Sequence, residues 1–200
     1  MVPGAVAPRR IVLASRSPQR KALLEALGVD FEVADPKVEE LAEGEPSELV
    51  VVNARWKAAS IAATARPGTL VIAGDTEVAI DGEALGQPAD EAQAREHLAR
   101  LSGREHEVHG AIALMGPEVD EQGAFRGREG VETTTVRFGE LAPPLVDAYI
   151  ASGEWKGRAG SYAIQGLGSA LVAGVSGDVS NVIGLPVGLL LRLEPTFQPA

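Results

Sequence analysis

Three short stretches of this chain carry residue types that could do chemistry. The first is Ser15-Arg16-Ser17-Pro18-Gln19-Arg20, where an apolar run, Ile11 to Ala14, meets a helix start. Ser17 suits the cap of that helix and Pro18 its first position. Helix-start N–H groups and the helix dipole point outward there, which favours anions. Two hydroxyls and the cations Arg16, Arg20 and Lys21 would reinforce a phosphate. No GxxxxGK[ST] pattern is present, so this is not a Walker loop. An ordinary capped helix with solvated cations explains the same residues equally well. The second stretch is Gly74-Asp75-Thr76, straight after the apolar run Leu70 to Ala73. A carboxylate at a strand end can hold Mg²⁺ or orient a water, though a turn aspartate would look the same. The third gathers Gln165 in YAIQG and Asp178 with Asn181 in GDVSN, polar residues in glycine-rich surroundings. Amides suit reading a base edge; turn formation is the competing explanation, above all for Asp178. His106 and His109 lie three apart in an apparent strand and would face opposite sides. They do not form an HExxH zinc motif. Trp155 and Tyr162 could stack a base, but large aromatics more often pack a core.

Alternating strands and helices must position these residues, which places the chain in the α/β class. Strands are expected at 11–14, 29–33, 70–73 with an extended 77–80, 107–115 and 131–138. Helices are expected at 18–27, 47–65, 90–101 and 143–152, with a last one opened by Pro186. Asp81-Gly82 reads as a tight turn, Asp90 as a helix cap, Gly28 and Gly103 as helix ends. The segment 36–45 reads as an acidic loop and 116–130 as an exposed hairpin loop. Residues 1–10 read as a frayed tail before a single domain, 11–200, with a central cleft. Their arginines follow a short apolar stretch, the reverse of a secretory signal.

Bulk properties narrow the function. The 200 residues are 45% hydrophobic and 23% charged, typical of a globular protein. A net charge of −10 argues against a nucleic-acid partner. No apolar run is long enough to cross a membrane. The absence of cysteine excludes disulfides, a thiol nucleophile and Cys-ligated metals, and suits the cytoplasm. An acidic protein that binds an anion must concentrate its cations, or a metal ion, in one place.

Seven ordered blocks tie these features together: LASRSPQR at 13–20, NARWKA at 53–58, AGDTEV at 73–78, LGQP at 85–88, LSGREHEV at 101–108, EWKGRAGSYAIQG at 154–166 and GDVSNVIGLP at 177–186. In this order they resemble the Maf family of nucleotide pyrophosphatases. The resemblance implies a Maf or inosine triphosphate pyrophosphatase-like α/β fold, two lobes on a mixed sheet around a deep groove. It implies hydrolysis of a nucleoside triphosphate to monophosphate and pyrophosphate, with Mg²⁺ or Mn²⁺ as cofactor. Asp75 would be the general base, Glu40 the second carboxylate and Lys57 the helix-borne lysine, with Asp75 and Glu40 holding the metal. Ser15, Ser17 and Arg20 would bind phosphate. Thr76 and Gln165 match the branch that prefers dTTP and UTP. The nucleotide is the only partner implied, with no nucleic acid or membrane, and a homodimer is left open.

Two positions depart from the family pattern. Gln87 stands where LGKP has lysine, and Gln19 where SPRR has arginine. Losing one cation beside a polyanion costs about 2–4 kcal/mol of transition-state stabilisation, or roughly thirty- to a thousandfold in rate. A weakened enzyme is therefore expected, with Arg16 as one cation that could compensate. Gln87 also raises an alternative: a nucleotide-binding regulator of cell division that no longer turns over.

Overall fold

The computed structural model describes residues 10–123 and 125–197. The expected tail therefore lies outside the described residues, apart from Arg10, which opens the first strand. Strand β1 (Arg10–Ala14) buries four successive residues because helices cover both of its faces. It runs parallel to β2 (Glu32–Ala34) on one side and β3 (Thr69–Ile80) on the other. From β3 outward the pairing turns antiparallel, to β5 (Glu105–Val119), then β6 (Phe125–Phe138), then β7 (Val172–Ser176). The short β4 (Glu83–Ala84) folds back on β3 through the Asp81-Gly82 turn. The order β2-β1-β3-β5-β6-β7, with β4 added on β3, makes one mixed seven-stranded sheet, as expected for this α/β chain.

Local chemistry starts the helices where the sequence indicates. Ser17 caps α1 (Pro18–Ala26) by accepting the Arg20 N–H, with Pro18 in the first turn. Glu45 does the same for α2 (Pro46–Ala62), and Asp90 for α3 (Glu91–Leu101). Helix α4 (Pro143–Ser152) ends at Gly153, whose φ of 74° suits a left-handed cap. Helices α5 (Val179–Ile183) and α6 (Val187–Leu193) follow, before a short 3-10 turn at Pro195–Phe197.

Packing divides the long sheet into two halves. On one half, α2 lays Val50, Ala54 and Ala58 against Ala73, Ala111 and Ala113. Alanine on both sides lets helix and sheet approach closely. The opposite face carries Leu13, Ile72 and Ile112 under Leu24 of α1 and Leu189 and Leu190 of α6. On the other half, α3 and α4 bring Leu98, Leu101 and Tyr149 onto Val78, Val108 and Phe138. Strands β3, β5 and β6 run through both halves and hold them in one frame.

Several elements differ from expectation. Strand β3 does not break at Gly74-Asp75-Thr76, because β5 pairs with it without interruption from Val71 to Ala79. Gly74 serves close approach and not a turn: a Cβ there would stand 3.0 Å from the Ala111 carbonyl and 3.4 Å from Arg20 Nε. The stretch 116–130 is largely strand, since the polar, glycine-containing start of β6 pairs with the end of β5. Residues 29–31 are not in β2, whose register with β1 spans only 32–34. Strand β7 and helix α5 were not legible in their glycine-rich surroundings.

Helix α5 is pinned to the sheet by Asn181, which is fully buried. Its Nδ2 donates to the Val108 and Glu132 carbonyls and to Thr134 Oγ1, while a Cβ on Gly110 would collide with its Oδ1. Gly110→Ala is therefore expected to destabilise the protein by about 1–3 kcal/mol, as overpacking does. Urea unfolding measures this directly. A loss under about 0.5 kcal/mol, the range of neutral surface changes, would show that α5 is not anchored this way.

Candidate active site

Strand β1 stops pairing at Ala14–Ala73, while β3 continues for seven more residues, Gly74 to Ile80. Asp75 and Thr76 therefore face a gap in the sheet, which opens as a groove of about 460 Å³. Its walls come from the 15–20 turn, the 35–40 loop, the 157–165 segment and the end of α5. Ser15, Ser17, Arg20, Glu40, Lys57, Asp75, Thr76, Gln87 and Gln165 all line it. The alternation of a strand sends Asp75 toward α2 and Thr76 toward α1 and α5.

On the α2 side the central group is the Lys57 ammonium. It donates to Asp75 Oδ1 at 2.7 Å and to Glu40 Oε2 at 2.6 Å. Lys57 is 5% exposed and Asp75 8%, while Glu40 reaches in from the exposed loop. Asn53, one turn before Lys57 on α2, donates from Nδ2 to Asp75 Oδ2 at 3.2 Å. The same amide bonds both backbone groups of Leu41. Asn53 was not singled out from the sequence; its spacing of four from Lys57 was the available signal. Among the described residues no group of three or more His, Asp or Glu gathers to hold a metal ion. Glu40 and Asp75 are the two carboxylates that meet at the Lys57 ammonium.

On the Thr76 side lies the Arg20 guanidinium. Its Nε donates to the Gly184 carbonyl at 2.9 Å, and its terminal nitrogens to Ser15 Oγ at 3.3 Å and Thr76 Oγ1 at 3.1 Å. Thr76 Oγ1 donates in turn to the Gly184 carbonyl. Burial pulls Arg20 below the usual guanidinium value, and the charges of Asp75 and Glu40 pull it back up. Ser15 and Thr76 are therefore engaged in holding a cation still. The N–H groups of Ser17 and Arg20 are likewise taken by the Ser15 and Ser17 hydroxyls. The helix start offers a ligand fewer free donors than its sequence suggests.

Other polar groups also reach the walls. Gln87 and Gln165 are exposed. Arg16 has a side chain 79% exposed, 3.8 Å from Asp35, and stands at the rim. Arg158 also lines the groove, two residues before Gly160, whose N–H bonds the Gly86 carbonyl. Sequence reasoning missed Arg158 as a cation of the groove, since the 157–165 segment and the 85–88 block meet only in the fold.

The remaining candidates are engaged in packing and capping, although Tyr162 also lines the groove. Asn181 spends its amide on the sheet, and Asp178 caps α5. His106 and His109 do point to opposite faces, bonding Tyr162 and Thr133 respectively. Burial holds His106 down at about 4, so it is a neutral packing group. It stacks edge-on with Phe138 and Tyr162, and Trp155 Nε1 is tied to the Ile150 carbonyl.

Comparison with known proteins shows what the chain is similar to. The sequence model described as Maf-like protein matches residues 10–194. A dTTP/UTP pyrophosphatase of Symbiobacterium thermophilum is 42% identical over 94% of this chain and 94% of its own. Another dTTP/UTP pyrophosphatase, from Deinococcus radiodurans, is 40% identical over 96% and 94%. Among solved structures, the Ham1 protein of Staphylococcus aureus covers 64% of this chain and 72% of its own, with 20% identity and a TM-score of 0.43.

Glu77 shares the strand face of Asp75, two residues on. Burial pushes its carboxyl above the usual value, against hydrogen bonds from the Gly86 and Val78 N–H groups, and the nearby Asp75 adds to the rise. A raised carboxyl favours folding while protonated, and that contribution is lost as pH rises through the folded value. Glu77→Gln is therefore expected to raise Tm near neutral pH. The gain should fade toward about pH 4, where the unfolded carboxyl also becomes protonated. A gain that is equal at both pH values, or a loss at neutral pH, would show that Glu77 is not held against its burial.

Proposed function

The chain belongs to the Maf-like protein family, and on that footing we propose that it hydrolyses nucleoside triphosphates to monophosphate and pyrophosphate, preferring dTTP and UTP and using Mg²⁺ or Mn²⁺. The observation that carries this reading is the Lys57 ammonium between Asp75 and Glu40, facing a groove that also holds the fixed guanidinium of Arg20. Relatives at about 40% identity across nearly the whole chain supply the substrate class.

Two carboxylates fit a hard cation of this kind, which is commonly bound by one or two carboxylates and completed by phosphates and water. Bound by Glu40 and Asp75, it would supply positive charge against the phosphates and their leaving oxygen. The other steps fall to the chain itself. Arg20 spends Nε and one hydrogen of each terminal nitrogen on the protein, leaving one on each for phosphate oxygens. Lys57 likewise keeps one of its ammonium hydrogens. Both cations are set before the ligand arrives, so little reorganisation opposes charge build-up. Asp75 would accept a proton from the water that attacks the α-phosphorus as the bond to the β-phosphate breaks. The free amide of Gln165 is suited to the base edge. Thr76 acts through Arg20, whose position it fixes.

Gln87 lowers the positive charge of one wall, while Arg158 supplies a cation to the same groove. With the Glu40, Lys57 and Asp75 cluster intact, this weighs against a regulator without turnover. Among the described residues no helix is long and apolar enough to cross a membrane, and with no cysteine in the chain this suits an enzyme of the cytoplasm.

Pyrophosphate release from a panel of nucleotides with Mg²⁺, Mn²⁺ or Co²⁺ tests this. The highest kcat/KM should fall on dTTP and UTP; 7-methyl-GTP as the best substrate would overturn the preference, and no release from any nucleotide the enzyme itself. Asp75→Asn should then abolish release without unfolding the protein, since it keeps shape and removes the proton acceptor. Retention of more than about a tenth of the wild-type rate, a loss under about 1.4 kcal/mol, would remove Asp75 from its role.

A further inference from the structure

Asn53 is an amide set into the apolar face of α2, among Leu49, Val50, Ala54 and Ala58. It is 2% exposed. A buried amide is costly unless its hydrogen-bonding capacity is met. Here Oδ1 accepts the Leu41 N–H at 2.8 Å, and Nδ2 donates to the Leu41 carbonyl at 3.0 Å and to Asp75 Oδ2 at 3.2 Å. Both amide hydrogens are committed. Packing alone would be served by leucine, which needs none of these partners.

The pattern repeats at Lys57, one turn on. Each of the two residues holds a different oxygen of Asp75, and each reaches the 40–41 segment. Lys57 grips the Glu40 side chain, whereas Asn53 grips the backbone beside it. The backbone grip matters because the Leu41 side chain is 42% exposed and gives the loop no apolar anchor there. Residues 36–45 form no helix or strand. Elsewhere in its first half the loop is tied to α2 by Ser60 Oγ, which donates to the Pro36 carbonyl.

Building on the pyrophosphatase reading of the groove, we propose that Asn53 is a positioning residue that clamps the Glu40 loop onto α2, so that Glu40 stands beside Asp75 before nucleotide or metal arrives. Without it, the loop carrying Glu40 would lose both backbone bonds at Leu41, and the two carboxylates would have to be assembled anew in each turnover. Positioning losses of this kind appear in kcat more than in KM when ground-state binding rests on other residues. Arg20, on the opposite side of the groove, provides such binding.

The test has an arm that needs no activity. Hydrogen exchange is followed on the protein free of metal and nucleotide. In the wild type the Leu41 amide should be protected, since Asn53 is its acceptor. In Asn53→Ala and in the volume-filling Asn53→Leu it should exchange about tenfold faster or more, with α2 and β3 still protected. In the same variants kcat for dTTP should fall roughly ten- to a hundredfold, with KM within about threefold. An unprotected Leu41 amide in the wild type would overturn the clamp even if neither variant folds. So would unchanged exchange in a folded variant, a wild-type kcat with a freed loop, or a KM effect at constant kcat. A wild type that releases no pyrophosphate would instead defeat the functional reading, while the exchange arm would still decide whether the clamp exists.

Discussion

The ammonium of Lys57 between Asp75 and Glu40 is the contact around which the rest of the site is arranged. An ion pair that is almost withdrawn from water is not stable in itself; its desolvation cost can exceed its Coulomb gain unless the remaining hydrogen-bonding capacity is filled. The surroundings meet that condition. Asn53 fills the second Asp75 oxygen, Glu40 shares the ammonium, and the groove leaves one side open to solvent. The alanines on α2 and on β3 and β5 are what bring the helix near enough for so short a set of contacts. Two carboxylates against one ammonium leave net negative charge, which repels a triphosphate and suits a cation.

An acidic protein with a polyanionic ligand must therefore keep its fixed positive charge elsewhere in the groove, and Arg20 supplies it. That guanidinium is held by Ser15, Thr76 and the Gly184 carbonyl, so its position depends on α5. Helix α5 is in turn fixed to β5 and β6 through Asn181. A residue buried against the sheet thus sets where the Arg20 guanidinium stands, through a chain of hydrogen bonds that never leaves the protein.

What was legible in the sequence was what local chemistry decides. The caps at Ser17 and Asp90, the turn at Asp81-Gly82 and the start of α4 at Pro143 depend on residues close in the chain, and they lie where expected. Strand β3 was misread at Gly74 because its continuity is imposed by β5, more than thirty residues later in the chain. The polar start of β6 was misread as loop for the same reason. Within the groove, Asp75 and the 15–20 turn stood out by residue type. Glu40, Lys57 and Gln87 were found only through resemblance, since nothing in their immediate neighbours distinguishes them from a surface loop or an ordinary helix. Asn53 was missed because its significance lies in contacts with distant segments.

Strand alternation explains why one strand can serve both sides of the site. Asp75 and Thr76 are neighbours, yet their side chains leave opposite faces of the sheet, one to the carboxylate cluster and one to the guanidinium. A slip of one residue in β3 would exchange them and would also turn its apolar set to the wrong faces. The uninterrupted pairing with β5 from Val71 to Ala79 excludes that slip, and the early end of β1 is what exposes the two residues at all. The packing that stabilises the sheet and the geometry that separates the carboxylate cluster from the guanidinium are therefore fixed by the same register. A change that weakens the β3–β5 ladder would disturb both.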